Sequence, residues 1–313
     1  MSKKGLYVGA TNQNVGKTTI CLGIYSALRK KFTSVGFIKP VGQKSKSLDE
    51  GVVVDKDVAL FQKHFLLSEN PKDMSPVLFP RGYTKQILDG EINSGFLKEE
   101  VMNAYTHIHK KHPFTLVEGT GHMGVGSIAD ISCAEVASDL GLDVLLITTG
   151  GIGSTFDDLI LSKALCDQKG VKIKGVIVNK ILPEKKPTTE HYISLALKKI
   201  RLPLMGCIEY RPFLSSPTME DFELLFDTKV LSAKSHERRH WLNMILATGE
   251  AKNIAEHYQE NQLIILNAAR EDLVQHILNH HPRKVGLIFT GRTGPSHDLI
   301  KALEKDEFFL KPS

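Results

Sequence analysis

Leu6-Tyr7-Val8-Gly9-Ala10-Thr11-Asn12-Gln13-Asn14-Val15-Gly16-Lys17-Thr18-Thr19 is the stretch on which the reading of this chain turns. It opens as an apolar run, passes through a polar loop and ends where a helical pattern begins. A Gly-Lys-Thr triplet between a strand and a helix is the setting in which backbone N–H groups surround phosphate oxygens. The helix N-terminus adds partial positive charge there. Lys17 is placed to neutralise β and γ phosphates, and Thr18 to offer its hydroxyl to Mg²⁺. Thr11, Asn12, Gln13, Asn14, Val15, Gly16, Lys17, Thr18 and Thr19 are therefore the nucleotide-binding candidates. The standard GxxxxGK[ST] spacing wants glycine at position 11, where Thr11 stands, so the loop is a variant.

Outward from this loop, short apolar runs alternate with helical patterns as far as about residue 206. Val35-Gly36-Phe37-Ile38, Phe114-Thr115-Leu116-Val117, Val144-Leu145-Leu146-Ile147 and Gly175-Val176-Ile177-Val178 are apolar at consecutive positions. Such runs fit strands buried on both faces of a helix-covered parallel sheet. Helical periodicity lies between them, as at 18–30 and 156–168. The pattern predicts an α/β fold with a doubly wound, mainly parallel sheet.

The Pro/Ser-rich stretch at 210–217 interrupts the pattern and reads as a boundary, giving a P-loop domain at 1–209 and a smaller α/β domain at 210–313. In the second domain, residues 228–231, 263–266 and 285–289 read as strands. The chain stops soon after the apolar run Phe308-Phe309-Leu310, so this domain is expected to lack a final element.

Composition narrows the function classes. The chain has 313 residues, 42% of them hydrophobic and 24% charged, which is ordinary for a globular protein. A net charge of +5 does not demand a nucleic acid or an acidic membrane. Cys21, Cys133, Cys166 and Cys207 form no CxxC pair and read as reduced thiols. No leader and no membrane-length apolar run is recognisable, so a cytoplasmic protein is expected. His107, His109 and His112 lie in a Lys-rich helical stretch and read as a solvated face. Arg238-Arg239-His240-Trp241 reads as a basic helix start with Trp241 packed inward.

The nucleotide follows from another strand end. Guanine-specific P-loop proteins carry Asn-Lys-x-Asp, but Asn179-Lys180 is followed by Leu182 at the Asp position. Asn179 can still meet an adenine edge, so ATP is favoured over GTP. Asn12 occupies the place of the second lysine of partition-type ATPases, which argues against that class.

Four motifs taken in order resemble the dethiobiotin synthetase-like family. Residues 11–18 resemble its Thr-Asp-Thr-Glu-Val-Gly-Lys-Thr, and Phe37-Ile38-Lys39-Pro40-Val41 its Tyr-Lys-Pro-Val. Val117-Glu118-Gly119-Thr120-Gly121 resembles its Val-Glu-Gly-Ala-Gly, and Gly175-Val176-Ile177-Val178-Asn179 the strand ending in its adenine-contacting Asn. The second domain resembles the DRTGG domain that follows such a domain in some phosphotransacetylases. There the resemblance rests on residues 204–208 and 214–218, and on the loops Asn267-Ala268-Ala269-Arg270-Glu271-Asp272 and Phe289-Thr290-Gly291-Arg292.

The resemblance implies an ATP- and Mg²⁺-dependent activation of a small carboxylate or carbamate, with Lys17 and Lys39 as the catalytic cations. It implies Thr18, Asp57 and Glu118 as the metal set, and a homodimer acting on a small molecule rather than on a membrane or nucleic acid. Asp55 is as available as Asp57, and both can instead cap the helix that follows. Asn14 replaces an acidic residue of the family's loop, and Gly42-Gln43 replaces the small hydroxyl residue after its Lys-Pro-Val-Ala. The nucleotide half of the site is thus kept better than the substrate half. Two readings follow: a ligase or kinase-like enzyme, or an ATP-sensing regulatory module with little turnover.

Overall fold

The computed structural model describes residues 4–48, 51–231, 237–250, 259–280 and 285–305. It divides into two compact units, Met1–Tyr210 and Arg211–Ser313.

The first unit is built on six strands: β1 (Gly5–Ala10), β2 (Val35–Ile38), β3 (Phe114–Glu118), β4 (Val144–Thr149), β5 (Ile173–Ile181) and β6 (Leu204–Glu209). Their order is β6-β5-β4-β1-β3-β2, and every neighbouring pair is parallel. This is the doubly wound arrangement expected from the apolar runs. Val8, Ile38, Leu116, Leu146 and Ile147 are wholly buried, as strands covered on both faces require. The chain runs from β1 to β2 on one side and later returns to β4 on the other. The strand order thus reverses beside β1, and ligands of open α/β sheets bind outside the carboxyl ends at such a point.

Helix Lys17–Leu28 follows β1 and helix Gly153–Gln168 follows β4; the latter starts three residues ahead of the expected 156. A third helix, Lys56–Phe65, is anchored by aromatics. Phe61 stacks on Phe37 of β2 with centroids 3.6 Å apart, and Tyr25 meets Phe61 edge-on at 5.6 Å. That packing fixes the start of this helix beside the end of β2, which matters for the site described below.

The second unit holds three parallel strands, β7 (Asn243–Leu246), β8 (Gln262–Asn267) and β9 (Gly286–Thr290), in that order. Ile264, Leu266, Leu273, Val274 and Ile277 form its buried core. The strands expected at 263–266 and 285–289 are present within a residue or so. The one expected at 228–231 is not a strand. Helix Met219–Phe226 ends at Asp227 in the left-handed region, and its last turn takes up the donors that follow. Thr228 N–H donates to the Glu223 carbonyl, and Val230 N–H to the Glu223 carboxylate. The strand role falls to β7 instead, an edge strand on which Met244 and Leu246 face solvent. Residues 238–241 do not start a helix, although Trp241 is buried and the Arg239 guanidinium lies 5.5 Å from its ring centroid. The run Phe308-Phe309-Leu310 lies outside the described residues.

Candidate nucleotide site

The loop after β1 is held in shape by side chains from three other elements. Thr11 N–H donates to the Ile147 carbonyl at 3.0 Å, and the Thr11 hydroxyl to the Thr148 hydroxyl at 3.0 Å, both on β4. Asn179 Nδ2, on β5, donates to the Val15 carbonyl at 2.8 Å. Lys180 Nζ donates to the Asn14 carbonyl at 2.7 Å. Asn12 Nδ2 donates to the Asp158 carboxylate of helix Gly153–Gln168. Asn14 (φ 58°) and Gly16 (φ 90°) both lie in the left-handed region. A Cβ on Gly16 would stand 2.3 Å from Asn179 Nδ2, so glycine is needed there for conformation and for space.

Helix Lys17–Leu28 begins at Gly16 with no side-chain cap and no acidic residue in its first turn. Its first N–H groups therefore point outward with their partial positive charge unopposed, a ready anion site. Asn12, Gln13, Asn14 and Thr19 are exposed on the loop and helix start, and Val15 is buried beneath.

Two cations and three carboxylates converge below the loop. Lys17 Nζ donates to the Gly121 carbonyl at 2.8 Å. The Thr18 hydroxyl donates to Glu118 Oε1 at 2.8 Å. Glu118 ends β3, is wholly buried, and its Oε2 has no hydrogen-bond partner among the described residues. Lys39 follows β2, is 6% exposed, and its ammonium is paired with Asp55 Oδ1 at 2.9 Å and with Asp57 Oδ2. Asp55 also caps helix Lys56–Phe65 by accepting from Asp57 N–H at 2.9 Å. Its other oxygen accepts from Gln43 N–H and Lys44 N–H. So Asp55 is a cap and a lysine partner at once, and Asp57 sits two residues on, within the first helical turn.

The charges set one another's protonation. Burial pushes the Glu118 carboxyl up to about 7, against the lowering influence of Lys39; Asp57 adds to the rise, while the Thr18 hydrogen bond and Lys17 oppose it. Burial pulls Lys39 down, but Glu118, Asp57 and Asp55 together hold its ammonium well above the ordinary lysine range.

Lys17, Thr18, Lys39, Asp57 and Glu118 are thus brought into one cluster, and Asn179 stands above it against the loop. Asp158 and Lys180 belong to the same neighbourhood and were not singled out from the sequence. Lys180 carried a signal, its place directly after Asn179; Asp158 carried none. The histidines at 107, 109 and 112 do not converge. His107 faces Asp73, His109 meets Thr115 and His112 pairs with Glu69. Among the described residues no group of three or more His, Cys, Asp or Glu is arranged to chelate a metal unaided. Mg²⁺ does not require one, since it is held by one or two carboxylates, waters and phosphate oxygens. The Thr18 hydroxyl and the orphaned Glu118 oxygen fit that demand. Among the described residues no helix is long and apolar enough to cross a membrane.

The family model described as an AAA domain, AAA_26, matches residues 4–218, and the DRTGG domain model matches residues 225–310. Phosphate acetyltransferase of Nitratidesulfovibrio vulgaris is 24% identical over 318 residues, covering 96% of this chain and 43% of that protein. The chain therefore spans less than half the length of that relative. ATP-dependent dethiobiotin synthetase BioD of Clostridium kluyveri is 23% identical over 207 residues, covering 65% of this chain and 84% of that protein. Among solved structures, the MinC:MinD cell division protein complex of Aquifex aeolicus overlaps 68% of this chain and 84% of that one, at 16% identity and a TM-score of 0.43. With its loop, strand order and matched residues taken together, the chain belongs to the AAA_26 family of P-loop AAA domains, here followed by a DRTGG domain.

Proposed function

We propose that the first unit binds ATP with Mg²⁺ and uses it to activate a small carboxylate or carbamate by phosphoryl transfer. The observation that carries this reading is the contact of the Thr18 hydroxyl with Glu118, a wholly buried carboxylate with one oxygen unpartnered among the described residues. A carboxylate is kept in such a place at a cost, and a cation on its free oxygen offsets it. Thr18, Glu118 and Asp57 would hold Mg²⁺, which supplies charge neutralisation at the phosphates. The uncapped helix start and Lys17 receive the β and γ phosphates. Asn179 keeps Nδ2 on Val15 and offers Oδ1 to the exocyclic amine of adenine. Lys39 stabilises the charge that develops on the transferring group. The dethiobiotin synthetase relatives support ATP as the nucleotide and a small molecule as the acceptor. A homodimer in the cytoplasm belongs to the same proposal.

A second reading rests on the phosphate acetyltransferase relative, which covers nearly this whole chain with less than half of itself. In that reading the chain binds ATP and reports occupancy with negligible turnover. The readings separate in one assay: ADP release from Mg²⁺-ATP, with and without 7,8-diaminopelargonate and bicarbonate. Release that depends on the diamine and is lost in Lys39→Ala, while that variant still binds ATP, supports the enzyme. ATP binding without release under every condition supports the sensor. Absence of ATP binding sinks both.

A further inference from the structure

We propose that Asp55 is the positioning residue for Lys39, the fixed partner that keeps its ammonium in place when Asp57 turns to a cation. This rests on the reading above, in which Lys39 meets the transferring group and Asp57 the metal.

The two aspartates are held differently. Asp55 Oδ1 accepts from Asp57 N–H at 2.9 Å and pairs with Lys39 Nζ at 2.9 Å. Its Oδ2 accepts from Gln43 N–H at 3.0 Å and from Lys44 N–H at 3.3 Å. The Asp55 N–H donates at 2.9 Å to the hydroxyl of Ser75, itself buried. A Cβ on Gly42 would stand 2.7 Å from Asp55 Cβ and Oδ2, so the backbone there closes over this carboxylate. Turning Asp55 away would uncap helix Lys56–Phe65 and leave three backbone donors without their acceptor. Asp57 has no such ties. Among the described residues, the Lys39 ammonium is the hydrogen-bond partner of its carboxylate, and its side chain is 11% exposed against 1% for Asp55. A side-chain rotation frees Asp57 and strands no backbone group.

The base of the lysine is fixed from the same place. Lys39 N–H donates to the Met74 carbonyl at 2.8 Å, and Ser75 is the next residue. The pair Met74-Ser75 thus holds both Lys39 and Asp55. Without Asp55, the acids left around the ammonium are Glu118 and Asp57, the two assigned to the metal, and the lysine would compete with the cation for them. Asp55 stays out of that competition, because backbone N–H groups already occupy both of its oxygens.

The test records ¹H–¹⁵N spectra of the lysine ammonium groups in the full chain carrying ¹⁵N-lysine. A buried, ion-paired ammonium exchanges its protons slowly and gives a sharp signal, which exposed lysines do not. Lys39→Arg identifies the Lys39 signal by removing it. The signal is expected in the wild type, retained in Asp57→Asn, and shifted but retained when Mg²⁺-ATP is added to the wild type. It is expected to be lost in Asp55→Asn, in which asparagine still caps the helix and a thermal melt reports the fold. Ser75→Ala keeps every charge and should broaden the signal; it decides the matter where Asp55→Asn does not fold. A sharp signal in folded Asp55→Asn overturns the proposal, as does its loss in folded Asp57→Asn or its disappearance on adding Mg²⁺-ATP. A signal that follows the variants as stated but ignores Mg²⁺-ATP supports the anchor and contradicts the nucleotide reading.

Discussion

The Thr18 hydroxyl and the Glu118 carboxylate meet at 2.8 Å although 100 residues separate them in the chain. The first residues of the helix after β1 and the last residue of β3 are neighbours because β1 and β3 pair in parallel, with Val8 opposite Glu118. The contact aims a wholly buried carboxylate at the helix start.

Glu118 ties nucleotide binding to pH. Its carboxyl titrates near 7 in the fold, raised by burial, and a cation needs it ionised. Mg²⁺-dependent ATP affinity is expected to rise with pH, by about tenfold per unit below 7 and to a plateau above it. Titrations at pH 6, 7 and 8 check this, and Glu118→Gln should flatten the profile. A profile unchanged in the variant would separate Glu118 from the metal.

The same shift has a consequence for stability. The folded value lies above that of a free carboxyl, so the fold is favoured below the ordinary value, and that advantage is lost as pH rises through about 7. Glu118→Gln removes the ionisation. Its melting temperature relative to the wild type should therefore increase from pH 5 to pH 8, in line with a wild-type loss of roughly 3 kcal/mol. A difference that stays constant with pH contradicts the assignment.

Lys39 is the shared partner of two buried acids. Lys39→Met leaves Asp55 and Asp57 buried without their cation, a change expected to cost about 3–5 kcal/mol. Adding Asp57→Asn to that variant should recover part of the loss. Denaturant melts of the two singles and the double measure the coupling, and strict additivity would mean the pair does not interact.

The loop's shape depends on Gly16. Gly16→Ala forces a Cβ against the Asn179 amide and strains a residue at φ 90°. It should lower stability by about 1–3 kcal/mol and remove most ATP affinity. Asn179→Ala in the same chain relieves the collision but not the strain, so stability should return only in part. Full recovery would show that the strain is negligible.

The fold is legible in the sequence wherever burial is two-sided. The runs at 35–38, 114–117 and 144–147 are apolar at every position or nearly so, and such runs are strands of a covered parallel sheet. The second unit is harder to read because its edge strand Asn243–Leu246 is half solvated. The stretch at 228–231 reads as a strand in the sequence, yet the end of a helix claims its donors. In the site, Lys39 and Glu118 are visible because each leaves an apolar strand into a loop. The pairing of Lys39 with both aspartates is not visible, because it depends on Phe37 stacking on Phe61 to set where the next helix starts. Asp158 and Lys180 reach the loop from 146 and 166 residues away, and no local pattern announces such contacts.

Isothermal titration of ATP into the wild type and into Thr18→Ala/Glu118→Gln, each with Mg²⁺ and with EDTA, tests the central claim most directly. The account predicts that Mg²⁺ tightens binding to the wild type by at least about tenfold and leaves the double variant unchanged. Equal enhancement by Mg²⁺ in both proteins would contradict it, because the metal would then be held by groups other than Thr18 and Glu118.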